Sequence, residues 1–312
     1  MTMQDFIETI CFTRRIDCVL GKLQRSRNFS QIGLRLDMDD AANFLTILRK
    51  GPGAVLPNTA FERLRDGSAD VILVDEVFSK DICAKIVDSL EKSPDRFEVT
   101  EFPGPFRSFF LGRNLNLNDP NLEDYFKAAQ RFESDLLQFG AGFGLDIAAR
   151  LVEVLSELDG GHTFEAAPGP GASRHFFTTF RGHRPGGYIP AHFDNEQSFR
   201  PSYRYIAEAT EGDILSFVVT LAEAEAGGML ELYDLLSTDL AVEHRNDDDL
   251  AHKPDLNKLK SHLVHVPAGS MVIVRSGRRL HRVAPVEGSR TRWTLCSFMA
   301  RAKTGGRNFC WG

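Results

Sequence analysis

Short apolar runs, separated by glycine and proline, follow one another from His175 to the end of the chain. Each run has the length of a strand and is rich in β-branched or aromatic residues, which favours sheet over helix. Many short strands with such turns predict a double-sheet jelly roll. The predicted strands cover residues 174–181, 187–193, 214–221, 229–234, 262–266, 271–275, 280–284 and 292–300.

The first half of the chain has mostly helical spacing, apart from a predicted strand at 70–76. Helices before strands predict an α+β fold, a double-stranded β-helix (jelly roll) core with supporting helices. We expect a helical N-terminal extension over residues 1–68 and the jelly-roll domain over 69–312. The predicted helices cover residues 3–26, 38–50, 58–66, 80–92, 122–139 and 146–158, with Ser79 as the N-cap of the fourth.

Composition is that of an ordinary globular enzyme. Of the 312 residues, 42% are hydrophobic and 26% are charged, and the formal net charge of -6 gives no support to a nucleic-acid partner. No apolar run is long enough to span a bilayer, and the N-terminus does not resemble a signal peptide. We therefore expect no membrane partner. The N-terminal extension could pack on the barrel or form a homodimer contact.

The five cysteines indicate a reducing compartment. They are Cys11, Cys18, Cys83, Cys296 and Cys310, an odd number without repeated spacing. This pattern argues against a disulfide framework and favours reduced thiols in a cytoplasmic protein.

The segment from Gly187 to Asn195 contains the residues that suggest a metal site. His192 and Asp194 are two apart, so on a strand they point to the same face. An HxD pair alone is a weak signal, but His281 follows about ninety residues later on another predicted strand. Two histidines and one carboxylate suit non-haem Fe(II) and leave three positions open, for a chelating keto acid and O2.

A dianionic cosubstrate also needs a cation at its far end. Arg292 lies on the last predicted strand, and a guanidinium can bind a carboxylate through two parallel hydrogen bonds. Arg290 has the same strand parity and is the rival. We favour Arg292 because the residues after it continue as a core strand. Tyr188, four residues before His192, could face the same pocket or pack in the core.

Other polar residues near the predicted strands carry weaker expectations. Thr179 could line the cosubstrate pocket or simply belong to an inward strand face. His262 and His265 are three apart on a strand-like segment and so point to opposite faces, which argues against a zinc site. We expect His175 and His183 on the surface or in loops.

The order of these motifs resembles the 2-oxoglutarate/Fe(II)-dependent oxygenase superfamily, and its prolyl-hydroxylase-like branch in particular. The similarity covers about residues 70–312 and includes HxD, the distal run from His281 to Val286, the Arg292 strand and the Gly227-Gly228 turn. It implies Fe(II) bound by His192, Asp194 and His281, 2-oxoglutarate held by Arg292, and O2 as the oxidant. The implied reaction oxidises a C–H bond and releases succinate and CO2.

The C-terminal part, from Ser276 to Trp311, is similar to the standalone halogenases of hapalindole-type indole alkaloid pathways. Those halogenases lack the carboxylate ligand, and chloride takes its place, whereas this chain keeps Asp194. The resemblance therefore implies hydroxylation, or another oxidation, of a small molecule in specialised metabolism. Three alternatives stay open: a protein or peptide hydroxylase, a cupin-like metalloenzyme that does not use 2-oxoglutarate, and a catalytically silent barrel.

Overall fold

The computed structural model describes residues 44–54, 56–102, 104–117, 122–195, 200–239 and 254–312. The α-helices there are α1 (Ala60–Asp66), α2 (Lys80–Lys92), α3 (Glu123–Ala141), α4 (Ile147–Leu158) and α5 (Arg204–Ala209). The strands are β1 (Ile47–Lys50), β2 (Val71–Val74), β3 (Val99–Glu101), β4 (Ser108–Leu111), β5 (Thr163–Ala166), β6 (Thr179–His183), β7 (Ile189–His192), β8 (Leu215–Ala222), β9 (Ala226–Gly227), β10 (Leu230–Leu236), β11 (Ser261–Val264), β12 (Met271–Val274), β13 (Arg279–Val283), β14 (Val286–Glu287), β15 (Arg292–Arg301) and β16 (Arg307–Trp311).

Two sheets contain most of these strands. The major sheet has the order β1-β2-β12-β8-β15-β6-β4-β3, and β16 pairs with both β15 and β5. The minor sheet has the order β11-β10-β13-β7. Its pairs are antiparallel, as are all those of the major sheet except β1 with β2 and β16 with β5.

Alternation along β15 separates two faces of the major sheet. Trp293, Leu295 and Met299 lie in the same core as the buried faces of the helices. Arg292 and Cys296 have the opposite parity, so they point to the other face of the sheet, towards the space between the sheets. The helices therefore cover only one face of the major sheet.

A second apolar cluster joins the two sheets at one end. Val71 and Leu73 of β2 and Val272 of β12 pack there with Leu230 and Leu232 of β10. Because both sheets bury side chains in this cluster, they face each other as the two halves of a jelly roll. This confirms the predicted α+β fold.

The limits predicted for one helix are confirmed, and those of another are corrected. The helix at 80–92 has the predicted limits, and the Ser79 hydroxyl accepts the N–H of Ile82 at 3.3 Å as its N-cap. The helix predicted over 38–50 is wrong at Ile47–Lys50, which is a strand, because pairing with β2 outweighs a local helical pattern. The helix predicted over 3–26 lies outside the described residues, and the domain boundary at residue 68 stays a prediction.

Some strands were not predicted at all, namely β3, β4, β5, β9, β14 and β16. No helix among the described residues is both long enough and apolar enough to cross a membrane.

Candidate active site

Two neighbouring strands of the minor sheet bring the predicted metal ligands together. His192 ends β7 and is the register partner of His281 on β13, so their ring centroids are only 4.4 Å apart. Asp194 lies two residues beyond the end of β7, at the start of a turn rather than on the strand. Its backbone N–H donates to the carbonyl of Ser276 at 3.1 Å, which fixes that turn beside β13.

The side-chain atoms of the three residues converge on one point. Nε2 of His192 lies 3.2 Å from Oδ1 of Asp194, and Nε2 of His281 lies 3.7 Å from Oδ2. One ligand atom from each residue lies within 4.8 Å of the others, the one such cluster found in the described part of the chain. A metal with bonds of about 2.1 Å at right angles would hold neighbouring ligand atoms about 3 Å apart.

Backbone carbonyls orient both imidazole rings. Nδ1 of His192 lies 2.8 Å from the carbonyl of Pro190, and Nδ1 of His281 lies 3.0 Å from the carbonyl of Arg279. A carbonyl can only accept, so each Nδ1 carries the proton and each Nε2 presents a lone pair to Asp194. Two acceptors then face each other across 3.2 Å in a buried site, an arrangement that a cation between them stabilises.

The charge states match those of a divalent cation site. Burial raises the pKa of Asp194, but the adjacent His192 and His281 outweigh it and lower that pKa to about 2. Burial, with the neighbouring His192, lowers the pKa of His281 to about 4. At neutral pH the aspartate is therefore anionic and His281 is neutral, the forms in which both bind metal.

A cavity of about 230 Å³ lies against this cluster, between the two sheets. The major sheet contributes Thr179 and Arg181 of β6 and Cys296 of β15 to its wall. Phe102 and Phe106 close another side, and their rings meet edge to face with centroids 5.9 Å apart. The cavity therefore has an aromatic wall near the metal cluster and a cation on the inner face of the major sheet.

Arg292 occupies the first position of β15 and is buried. Its guanidinium makes no hydrogen bond or ion pair within the described residues. Arg292 lines an adjoining cavity of about 190 Å³, and Leu230 lines both that cavity and the main one. Gly228 makes room for this side chain, since a Cβ there would lie 2.9 Å from Cδ of Arg292.

The rival arginine has a different environment. The side chain of Arg290 is 67% exposed and lies 3.4 Å from Glu225 at the surface. Tyr188 does not line the cavity. Its ring packs against Phe106, with centroids 5.5 Å apart, so the predicted contact between Tyr188 and the cosubstrate lacks support from the cavity wall.

Sequence reasoning missed Arg181, a second cation beside Arg292. The Nε of Arg181 is buried and has no hydrogen-bond partner, and its guanidinium stacks on Phe110 at 4.4 Å from the ring centroid. Burial, together with the positive charge of Arg181, lowers the pKa of Arg292 to about 10. The available signal was the alternation of Thr179, Arg181 and His183 on one face of a strand.

The same inner face buries two further polar groups without partners. His183 was expected at the surface but is fully buried, with Nδ1 2.7 Å from the hydroxyl of Ser108 and Nε2 unpartnered. Its pKa lies well below the ordinary value, because of burial and the charges of Arg292 and Arg181. Oγ1 of Thr220 is also buried without a partner. The buried Arg292 and the half-buried Arg181, beside unpartnered polar groups, form a site that suits an anion.

The remaining histidines have structural environments. His175, expected on the surface or in a loop, lies outside the helices and strands but is buried, and its Nδ1 lies 3.0 Å from the carbonyl of Ala167. His265 pairs with Glu223 at 2.8 Å on the surface.

Two facing sheets with a buried cluster of two histidines and one aspartate define a protein of the 2-oxoglutarate/Fe(II)-dependent oxygenase superfamily. The family model described as carrier-protein-independent halogenase WelO5 matches residues 53–312. The chain therefore belongs to the carrier-protein-independent halogenase WelO5 family. No curated protein matches it significantly.

Solved structures of several oxygenases are similar at low identity. An N-substituted L-amino acid dioxygenase from Burkholderia ambifaria AMMD is 14% identical, with 81% of this chain and 91% of that one covered and a TM-score of 0.49. The epimerase SnoN from nogalamycin biosynthesis is 12% identical, with coverages of 78% and 87% and a TM-score of 0.48. A Pseudomonas putida prolyl-4-hydroxylase is 17% identical, with coverages of 78% and 98% and a TM-score of 0.39.

Proposed function

We propose that this protein is an Fe(II)- and 2-oxoglutarate-dependent dioxygenase that hydroxylates, or otherwise oxidises, a C–H bond of a small molecule in specialised metabolism. His192, Asp194 and His281 would hold the iron. The observation that carries the proposal is the buried approach of Nε2 of His192 to Oδ1 of Asp194 at 3.2 Å, beside Nε2 of His281. Three potential ligand atoms that converge in this way form a site that a divalent cation would fill.

Each part of the site has a separate role in this reaction. When bound, Fe(II) and 2-oxoglutarate supply the oxidising chemistry, in which O2 is consumed and succinate and CO2 leave beside the oxidised product. The carbonyls of Pro190 and Arg279 hold the two imidazoles in the metal-binding tautomer. Arg292 would bind the distal carboxylate of 2-oxoglutarate, and Arg181, on the wall of the main cavity, would add a second positive charge.

The cation pair argues for a cosubstrate with two carboxylates and against the cupin-like alternative. A metalloenzyme that used no 2-oxoglutarate would have no need for a buried arginine and a half-buried one without carboxylate partners, since withdrawing unpaired cations from water is costly. Both Arg181 and Arg292 lack an ion pair within the described residues, although each lies close to the other. A dianion would neutralise both.

The form of the cavity favours a small molecule over a peptide. Phe102 and Phe106 narrow it on one side, and Ile189, Val283 and Phe298 add further apolar lining. Asn114 supplies an amide that could hydrogen-bond a polar group of the substrate. A peptide hydroxylase would instead need an extended groove that holds the main chain on both sides of the target residue.

Hydroxylation is proposed in place of halogenation because of Asp194. In the halogenases that this chain resembles, chloride takes the position of the missing carboxylate ligand. Here the carboxylate is present, buried and directed towards both histidines. A chloride at the same position would meet the negative charge of Asp194.

Chloride titration of the anaerobic protein with Fe(II) and 2-oxoglutarate tests this choice without a known substrate. The weak visible charge-transfer band of the complex reports what binds the iron. We expect the band of the natural protein to be insensitive to chloride. In Asp194→Gly, we expect the band to form or shift only when chloride is added. A saturable chloride-dependent shift in the natural protein would contradict the proposal and favour halogenation.

A further inference from the structure

The connection between β12 and β13 contains an unusual concentration of arginines. Arg275, Arg278 and Arg279 fall within five positions, and a turn at the surface would normally leave such side chains in water. Here each of the three forms an ion pair with an aspartate from elsewhere in the chain. We call residues 275–279 the arginine turn.

Asp213, which lies just before β8, binds two of these arginines. Its carboxylate accepts from Nε and Nη2 of Arg275, at 3.1 and 2.9 Å, and from Nε of Arg278 at 3.0 Å. The side chains of Asp213 and Arg275 are only 23% and 17% exposed. A half-buried carboxylate shared by two guanidiniums fixes the turn more firmly than a solvated ion pair does.

The third arginine is fixed from the other side. Nη2 of Arg279 donates to Oδ1 of Asp70 at 2.5 Å, and Nη1 donates to the carbonyl of Tyr233 at 3.0 Å. The second oxygen of Asp70 accepts the N–H of Thr46 at 2.8 Å. The arginine turn is therefore fixed at both of its ends.

The backbone of this turn contacts two of the three proposed iron ligands. The carbonyl of Ser276 accepts the N–H of Asp194 at 3.1 Å. The carbonyl of Arg279 lies 3.0 Å from Nδ1 of His281 and sets the orientation of that ring. Between them, Gly277 packs so closely on Asn195 that a Cβ would collide with its side chain. Any shift of the turn would thus move Asp194 and His281 relative to each other.

We propose that Asp213 is a positioning residue for the iron site, acting through the arginine turn on both Asp194 and His281. The proposal rests on the proposed function, since it requires that these residues bind iron. The N–H of Gly277 donates to the carbonyl of Ile214 at 3.0 Å, so the segment that contains Asp213 is joined to the turn by main chain as well as by charge. Without the carboxylate, Arg275 and Arg278 would repel each other at the base of the turn.

Anaerobic Fe(II) titration of Asp213→Asn tests the proposal. This variant keeps the size of the side chain and removes its charge. We expect the dissociation constant for Fe(II) to rise about 10- to 100-fold, as for other groups that orient metal ligands. We also expect the charge-transfer band formed with 2-oxoglutarate to shift or weaken. Asp213→Glu should recover part of the Fe(II) affinity and part of the charge-transfer band. A general loss of stability would not produce this recovery.

Asp75→Asn is the matched control. Asp75 is 18% exposed and also binds one arginine, Arg49, at 2.9 Å, but it makes no contact with the arginine turn. We expect its Fe(II) affinity and band to equal those of the natural protein.

The possible outcomes distinguish a failure of the proposed function from a failure of the positioning role of Asp213. If the natural protein itself fails to bind Fe(II), the proposed function is wrong. If it binds, and folded Asp213→Asn binds equally well with an unchanged band, the positioning role is overturned. Should Asp213→Asn not fold, Arg278→Gln replaces it, because Arg278 is 41% exposed and tolerates change. That variant should weaken Fe(II) binding severalfold, and an unaltered affinity and band would overturn the role of the turn.

Discussion

The two sheets contribute opposite charges to the space between them. The minor sheet and the turn after β7 supply a carboxylate and two imidazoles whose lone pairs face one another. The inner face of the major sheet supplies Arg181 and Arg292, which have no ion pairs within the described chain. One region is incomplete without a cation and the other without an anion. A single bound pair, Fe(II) and 2-oxoglutarate, would satisfy both.

The largest expected effect follows from removing a ligand on the minor sheet. Asp194→Ala and His281→Ala should each lower Fe(II) affinity by more than about 100-fold in chloride-free buffer, since changes to groups behind the ligands already cost up to that much. Fe(II) binding is measured by anaerobic titration. His265→Ala is the control, because His265 pairs with Glu223 on the surface. If Asp194→Ala or His281→Ala binds Fe(II) as tightly as His265→Ala, the assignment of that residue as an iron ligand is contradicted.

On the major sheet, Arg292→Ala should weaken 2-oxoglutarate binding while Fe(II) affinity stays unchanged. Loss of a charge-assisted contact to a carboxylate costs about 1.5–3 kcal/mol, or roughly 10- to 100-fold in affinity. The charge-transfer band measures this binding. Arg290→Ala, at the exposed rival position, should behave like the natural protein. If instead Arg290→Ala weakens binding and Arg292→Ala does not, the two roles are reversed.

A smaller effect is expected for Arg181→Met, about 10-fold or less in 2-oxoglutarate affinity. The effect is smaller because Arg292 would still hold the distal carboxylate, and only the added attraction of the second charge is lost. Arg184→Met is the matched control. Arg184 also stacks on a phenylalanine, Phe109, at 4.3 Å, but pairs with Glu101 on the surface. Equal effects of the two substitutions would show that Arg181 acts through packing alone.

The two sheets also differ in how well the sequence predicts their functional residues. HxD and the distal histidine were visible because their spacing is short and their chemistry is specific, although Asp194 turned out to follow the strand rather than lie on it. Arg181 was not identified because one arginine in a strand is usually a solvated charge. Its burial depends on β4 and β15, which pair with β6 on either side.

Elements with strong local patterns were likewise predicted well. The bounds of β8, β12 and β15 differ from expectation by one residue, because long β-branched runs mark central strands. Strands β1 and β16 were missed, because their own residues are mixed and each pairs in parallel with a strand that does not adjoin it in sequence, β1 with β2 and β16 with β5. His183 was assigned to the surface for a related reason: nothing near it in sequence reveals that Ser108 lies 2.7 Å away.

Anaerobic titration of the natural protein with Fe(II) and 2-oxoglutarate tests the central claim most directly. We predict a visible charge-transfer band that saturates at one iron and one 2-oxoglutarate per chain and does not form when succinate replaces 2-oxoglutarate. Folded, iron-loaded protein that shows no such band with 2-oxoglutarate would contradict the claim and return the chain to the cupin-like or silent-barrel alternatives.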